Sequence, residues 1–195
     1  TGWRGECDLI DPMCGSGTFA IEAALIARGI SPGVFRQEYA FEKWPDFDRE
    51  LFDRIYEDDS NEHEFEHHIY AYDINRHAVE IASTNVKAAG LGKDITVAQQ
   101  DFKDFKRPEQ KSIMVMNPPY GGSEKADVKN HFPDDLASSE TADLFMAVIM
   151  YRLKKDGRAA VILPDGFLFG TDNAKVNIKK RLLSEFNLHT IVRMP

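Results

Sequence analysis

The chain has 195 residues, 43% of them hydrophobic, enough for one core of ordinary domain size. Its formal net charge is -8, and no apolar run approaches the roughly 18 residues that a membrane span needs. The sequence therefore argues against a membrane-spanning helix, while its charge neither favours nor excludes a nucleic-acid substrate.

That charge is uneven. Between Glu38 and Glu66 twelve acids stand against Lys43, Arg49 and Arg54, a balance of -9, and the other residues together carry +1. The opening "TGWRGECDLID" scatters charges through its first apolar segment, unlike a secretory leader. Cys7 and Cys14 have no companions at metal-ligand spacing. Reduced thiols in a cytoplasmic protein, with no metal and no membrane partner, are the expectation.

In chain order, "CDLIDP" (7–12) predicts a short buried strand and "GSGTFAIEAALIARG" (15–29) a helix. Ala20, Ala23, Ala24 and Ala27 recur at helical spacing, so that helix can lie close on a sheet. An acidic, aromatic-rich insertion spans about 30–66. "HIYAYDIN" (68–75) predicts the second strand, "RHAVEIASTNVKAAG" the second helix, "DITVAQQDF" (94–102) the third strand and "KSIMVMNPP" the fourth. A polar loop follows. "TADLFMAVIMYRLKKDG" predicts a helix with lysines in its last turn, "RAAVILP" a fifth strand, "NAKVNIKKRLLSEF" a helix and "LHTIVRMP" a sixth strand. The alternation predicts one α/β domain over 1–195, with a mostly parallel sheet covered by helices on both faces.

In such sheets ligands bind beyond the carboxyl ends of the strands. Asp11, Asp73, Asp101 and Asn117 stand at the four predicted ends. Within "DPMCGSGTFA", Gly15 and Gly17 let the backbone approach a ligand, at a helix start that favours a carboxylate or phosphate. Gly15, Gly17 and Ala20 also satisfy the dinucleotide pattern G-x-G-x-x-A, so a nicotinamide-dependent oxidoreductase is the rival reading. Asp73 is placed to accept from two ribose hydroxyls, and Asp101 from an adenine amino group with Phe102 against the ring.

"NPPY" (117–120) is the other signal. An amino group on an aromatic carbon is a poor nucleophile because its lone pair is delocalised. Accepting hydrogen bonds from both of its hydrogens turns that lone pair out of the ring plane. The Asn117 amide oxygen and the Pro118 carbonyl supply two acceptors, and the two prolines stiffen the backbone between them. Tyr120 offers a face for an extruded base. The G-x-G-x-x-A rival leaves this run unexplained.

Taken together, these residues resemble the class I (Rossmann-like) S-adenosylmethionine-dependent N-methyltransferases. The resemblance implies a cofactor site of Asp11, Pro12, Cys14, Gly15, Ser16, Gly17, Thr18, Asp73, Ile74, Asp101, Phe102 and Asn117. It implies a catalytic turn of Asn117, Pro118, Pro119 and Tyr120. Two branches contribute. Residues 1–121, with "DPMCGSGTFAIEAALIA" and "HIYAYDINRHAVEIASTNVKAAGL", resemble bacterial 23S ribosomal RNA guanine-N2 methyltransferases. Residues 122–195, with "SSETADLFMAVIMYRLKKDGRAAVILPDGFLFG", resemble the adenine-N6 DNA methyltransferase subunits of type I restriction systems. A chimera, an unusual natural relative and an assembly of two genes all fit such a seam, at about 121–132. The leading expectation is methylation of guanine N2 in ribosomal RNA. The alternatives are adenine N6 in DNA and a silent methyltransferase fold that needs partner domains. An RNA-binding domain, a specificity subunit and a seventh, antiparallel strand belong to these branches and lie outside the 195 residues.

Three further patterns carry weaker expectations. "HEFEH" (63–67) matches the zinc-protease spacing H-E-x-x-H, yet its acidic surroundings favour a solvated helix end. Lys175, Lys179, Lys180 and Arg181 form a basic helix face for phosphates or for solvent. Phe167 and Phe169 either touch a base or pack in the core, while Trp3 and Trp44 read as packing residues.

Overall fold

The structure, a computed structural model, describes residues 2–105, 109–119, 121–123 and 125–193. It divides into two compact units, Thr1–Val115 and Met116–Pro195.

The first unit opens with β1 (Asp8–Asp11), followed by α1 (Thr18–Arg28). Next come α2 (Arg49–Tyr56), β2 (Ile69–Asp73), α3 (Arg76–Ala88) and β3 (Ile95–Gln99). The fourth strand, β4 (Ser112–Met116), begins in this unit. All pairings are parallel, with β2 between β3 and β1, and β1 between β2 and β4. Leu9 stands level with Ile69 and Ile113, and Ile69 with Ile95. These four residues are buried, as continuous apolar strands of a parallel sheet should be.

The alanine stripe of α1 explains how tightly the helix lies. Ala20 and Ala24 are fully covered, and Ala23 and Ala27 are buried in the same core as Ala71, Ala82 and Val86. Small side chains let the helix axis approach the strands, and larger neighbours such as Leu25, Ile69 and Leu91 fill the rest. Each of those three contributes about 1.5–3 kcal/mol by leaving water.

The acidic insertion packs Ile30, Val34 and Phe65 against the core of the sheet and builds an aromatic cluster of its own between them. Tyr39, Phe41, Phe47, Phe52 and Tyr56 form a chain of ring contacts with centroids 5.0–6.5 Å apart. The Arg49 guanidinium lies 4.9 Å from the Phe47 centroid and 5.6 Å from that of Phe52. Asp48 caps α2 by accepting from the Leu51 N–H. Trp3 is buried, as expected of a packing residue, but Trp44 is 65% exposed and touches only the edge of this cluster.

The second unit holds the end of β4, then α4 (Ala126–Lys129), α5 (Thr141–Arg152) and β5 (Arg158–Val161). It ends with α6 (Asp165–Phe169) and α7 (Asn173–Glu185). Past the end of β5 the Ile162 N–H donates to the Met116 carbonyl, setting that strand beside the end of β4. Two sequence expectations change here, and one left open is resolved. The helix α5 stops at Arg152, before the lysines, because Leu153 is already extended. Residues 188–193 form no strand among the described residues. Ile191 and Val192 are exposed at 58% and 77%, so the alternating pattern has no ladder to bury it. Phe167 is core, whereas Phe169 is exposed. No helix among the described residues is long and apolar enough to cross a membrane.

Candidate active site

In the first unit the glycine loop is held by the strand beside it. The Cys14 N–H donates to the Tyr72 carbonyl at 2.8 Å, and the Gly15 N–H to Asp73 Oδ2 at 3.0 Å. The other Asp73 oxygen accepts from the Asn75 N–H at 2.8 Å. One carboxylate thus ties the loop after β1 to the turn after β2, across 58 residues of sequence. Each of its oxygens has a second lone pair, which leaves acceptor capacity for hydroxyl groups.

Gly17 is the N-cap of α1 with φ +85°, a left-handed conformation that a side chain disfavours. A Cβ there would also lie 3.3 Å from that of Ala82. Gly15 differs, since a Cβ built on it meets no atom within 4 Å. The space over Gly15 is open, next to Asp73. No side chain caps α1, so its first N–H groups are available to an anion. The Asn85 side chain donates to the Ser16 carbonyl at 2.9 Å, a link from α3 that no local sequence signal announces.

Asp11 ends β1 with its carboxylate 1% exposed, accepting from the Met13 N–H at 3.2 Å. Burial pushes its pKa up to about 7; the Met13 N–H opposes this and the charge of Asp73 adds to it. Burial likewise lifts the Cys14 thiol to about 12, with Asp11 and Asp73 adding to it, so this sulfur is a packing atom rather than a nucleophile. Pro12 is buried, while the Ser16 and Thr18 hydroxyls are exposed and 3.1 Å apart.

Ile74 is 62% exposed, and its carbonyl accepts from the Gln99 amide. The strand β3 stops at Gln99, so Asp101 lies just past it, capping a 3-10 turn. It accepts from the Lys103 N–H at 2.9 Å and pairs with the Lys103 ammonium at 3.0 Å. Phe102 is buried and stacked near Phe105, with ring centroids 6.2 Å apart.

In the second unit Asn117 follows β4 with its side chain exposed. Pro118 is fully buried and Pro119 exposed, so the turn is anchored at its middle. Tyr120 lies outside the described residues.

Two other motifs resolve differently from their patterns. Residues 62–67 are not helical, so His63 and His67 share no helix face. His63 Nδ1 contacts the Asn61 carbonyl at 2.9 Å, and His67 lies 3.8 Å from Asp8. Among the described residues no group of three or more His, Cys, Asp or Glu is placed to hold a metal ion. Much of the basic face of α7 is also spent internally, although Lys180 is exposed. Lys175 is 3% exposed, the Lys179 ammonium donates to the Leu168 and Gly170 carbonyls, and Arg181 pairs with Glu185. Such side chains make a poor phosphate footprint.

A parallel sheet with a glycine loop after its first strand and an acid closing its second is an arrangement that dinucleotide-binding folds share; likeness to solved methyltransferases makes it the α/β class I methyltransferase fold. The chain belongs to the UPF0020 family, RMKL-like, methyltransferase domain, whose model matches residues 1–187. It is 52% identical over 87 residues to the type I restriction enzyme EcoEI methylase subunit of Escherichia coli, a match covering 45% of this chain and 18% of that protein. It is 38% identical over 128 residues to the ribosomal RNA large subunit methyltransferase K/L of Psychromonas ingrahamii, covering 62% of this chain and 17% of that protein. The crystal structure of SMU.472, a putative methyltransferase complexed with SAH, superposes with a TM-score of 0.57 at 35% identity, covering 67% of this chain and 35% of that one. Both branches that the sequence resembles are thus among its relatives. The matches span less than a fifth of either curated relative's length.

Proposed function

We propose that this chain binds S-adenosylmethionine at the Gly15–Gly17 loop and directs methyl transfer to an exocyclic amine of a nucleic-acid base. The observation that carries the proposal is the "NPPY" run closing β4, in a chain whose glycine loop is tied to an acid at the end of β2. The open space over Gly15 and the spare lone pairs of Asp73 suit a nucleoside there. When bound, the cofactor supplies a methyl group on a positively charged sulfur, already an electrophile.

The work left to the protein is then to present the amine. Asn117 accepts from one amino hydrogen and the Pro118 carbonyl from the other, which turns the nitrogen lone pair out of the ring plane. The motif assigns Tyr120 to offer the base a ring face. No strong base is needed, because the nitrogen sheds its proton after it has become cationic. Asp73 would hold the ribose hydroxyls, and Asp101 the adenine amino group.

Guanine N2 of ribosomal RNA is the leading target, supported by the likeness to large-subunit ribosomal RNA methyltransferases. Adenine N6 of DNA is the second reading, favoured by the 52% identity to a restriction methylase subunit. An RNA-binding domain or a specificity subunit would supply target choice in either case, and the cytoplasm is the compartment that fits both. The test is to incubate the chain with isotopically labelled S-adenosylmethionine and either ribosomal RNA or DNA, then digest the product and identify the labelled nucleoside. Labelled N2-methylguanosine from RNA is the expected product. Labelled N6-methyladenine from DNA would move the assignment to the second reading, and label in neither would overturn both.

A further inference from the structure

The segment just past the Asn-Pro-Pro turn is pinned within the second unit. The Thr141 N–H donates to the Gly122 carbonyl at 3.2 Å, and Ser123 and Glu140 form an antiparallel bridge. The approach is close: a Cβ on Gly122 would lie 2.6 Å from the Thr141 hydroxyl oxygen. Gly122 thus docks directly on the start of α5, where Glu140 is the N-cap.

Beneath that contact lies a buried ion cluster. The Lys175 ammonium is 2.8 Å from Glu140 Oε1, 2.9 Å from Asp143 Oδ2 and 3.2 Å from Asp172 Oδ2. Asp143 has no exposure, and the Ser138 hydroxyl donates to the same Oδ2 at 2.6 Å. Ser138 Oγ in turn accepts from the Glu140 N–H at 3.1 Å. One ammonium therefore joins the start of α5, the N-cap of α7 and the residue bridged to Ser123. Burying such a group costs desolvation that a well-packed apolar set would avoid. Asp143 Oδ1 is moreover left without a hydrogen-bond partner among the described residues. The arrangement is poor as a source of stability and specific as a geometric constraint.

We infer that Lys175 is a positioning residue: through Glu140 and the first turn of α5 it fixes Gly122 and Ser123, and so sets where Asn117 and Pro118 present their acceptors. The inference rests on the proposed role of those acceptors in holding the target amine. A displacement of about 1 Å in such a site lowers the rate by roughly a hundredfold, so a distant lysine can govern it.

The test compares Lys175→Met, which keeps the stem and removes the charge, with Lys175→Arg, which keeps the charge. Amide hydrogen exchange is followed at residues 121–123 and 141–144, with S-adenosylmethionine affinity by calorimetry. Single-turnover methyl transfer is measured on adenine- and guanine-containing RNA and DNA oligonucleotides. Lys175→Met should speed exchange at 121–123 by roughly tenfold or more, as expected when a local constraint is lost. It should also lower the single-turnover rate by roughly ten- to a hundredfold at saturating oligonucleotide, while cofactor affinity stays within about threefold. Lys175→Arg should recover most of both losses. If Lys175→Met does not fold, Glu140→Ala removes that acceptor at a half-exposed end while Lys175 keeps Asp143 and Asp172, and should loosen 121–123 alone.

Unchanged exchange at 121–123 in a folded variant overturns the inference, as does a rate that follows cofactor affinity. If the unmodified chain transfers methyl to none of the oligonucleotides, the functional reading is what fails. The exchange data then still decide whether Lys175 holds the segment.

Discussion

The proposed function gives Asn117 and Asp73 separable jobs, and single substitutions should separate them. Asn117→Ala removes one acceptor for the amine. It should cut methyl transfer by about a hundredfold or more, as losing an oriented catalytic contact does, while leaving cofactor affinity nearly intact. Equal turnover by the variant would remove Asn117 from the mechanism. Asp73→Ala should instead weaken cofactor binding, because it removes the ribose acceptors and strands the Gly15 N–H. Asp11 adds a pH dependence of its own. Its folded pKa of about 7 lies above the roughly 3.9 of an unfolded aspartate, so the native state binds more protons between those values. Stability should therefore fall as pH rises from about 4 to about 7, this one group removing up to about 4 kcal/mol. Asp11→Asn keeps the acceptor for Met13 and should flatten that limb. Urea unfolding at several pH values would show it, and an unchanged slope would assign the dependence elsewhere.

Among the elements, two contacts set the loops that matter. Asn85 on α3 holds the Ser16 carbonyl, so Asn85→Ala should loosen the glycine loop. The expected loss is roughly fivefold in cofactor affinity, the worth of one hydrogen bond, read by calorimetry. Gly122, packed against the start of α5, gives a cleaner packing test. Gly122→Ala should destabilise the fold by about 1–3 kcal/mol in urea unfolding, as overpacking does, and Thr141→Ala in the same chain should recover part of the loss. Strict additivity of the two would refute the clash. These element-scale contacts also mark where sequence legibility ends. The alternation of strands and helices, the alanine stripe of α1 and the acid closing β2 are local patterns and can be read directly. Lys175 is different: with Lys179, Lys180 and Arg181 it reads as a solvated basic face, because Asp143, its buried partner, lies 32 residues away. The Asn85 link to Ser16 spans 69 residues and is equally silent. The alternation in 188–193 misleads for the converse reason, since a strand pattern needs a neighbour to pair with.

At the scale of the whole molecule, the chain divides into units between Val115 and Met116, near the seam at about 121–132 that the sequence suggests. The glycine loop belongs to the first unit, and the Asn-Pro-Pro turn with its lysine cluster to the second. The charge follows its own division, with the net negative charge confined to the aromatic insertion between α1 and β2. That leaves the rest of the chain close to neutral. The central claim, on which every residue assignment depends, is the cofactor. Calorimetric titration of this chain with S-adenosylmethionine, and separately with a nicotinamide dinucleotide, tests it most directly. The account predicts saturable binding of S-adenosylmethionine, weakened by Asp73→Ala, and no binding of the dinucleotide. Binding of the dinucleotide alone, or of neither, would contradict it.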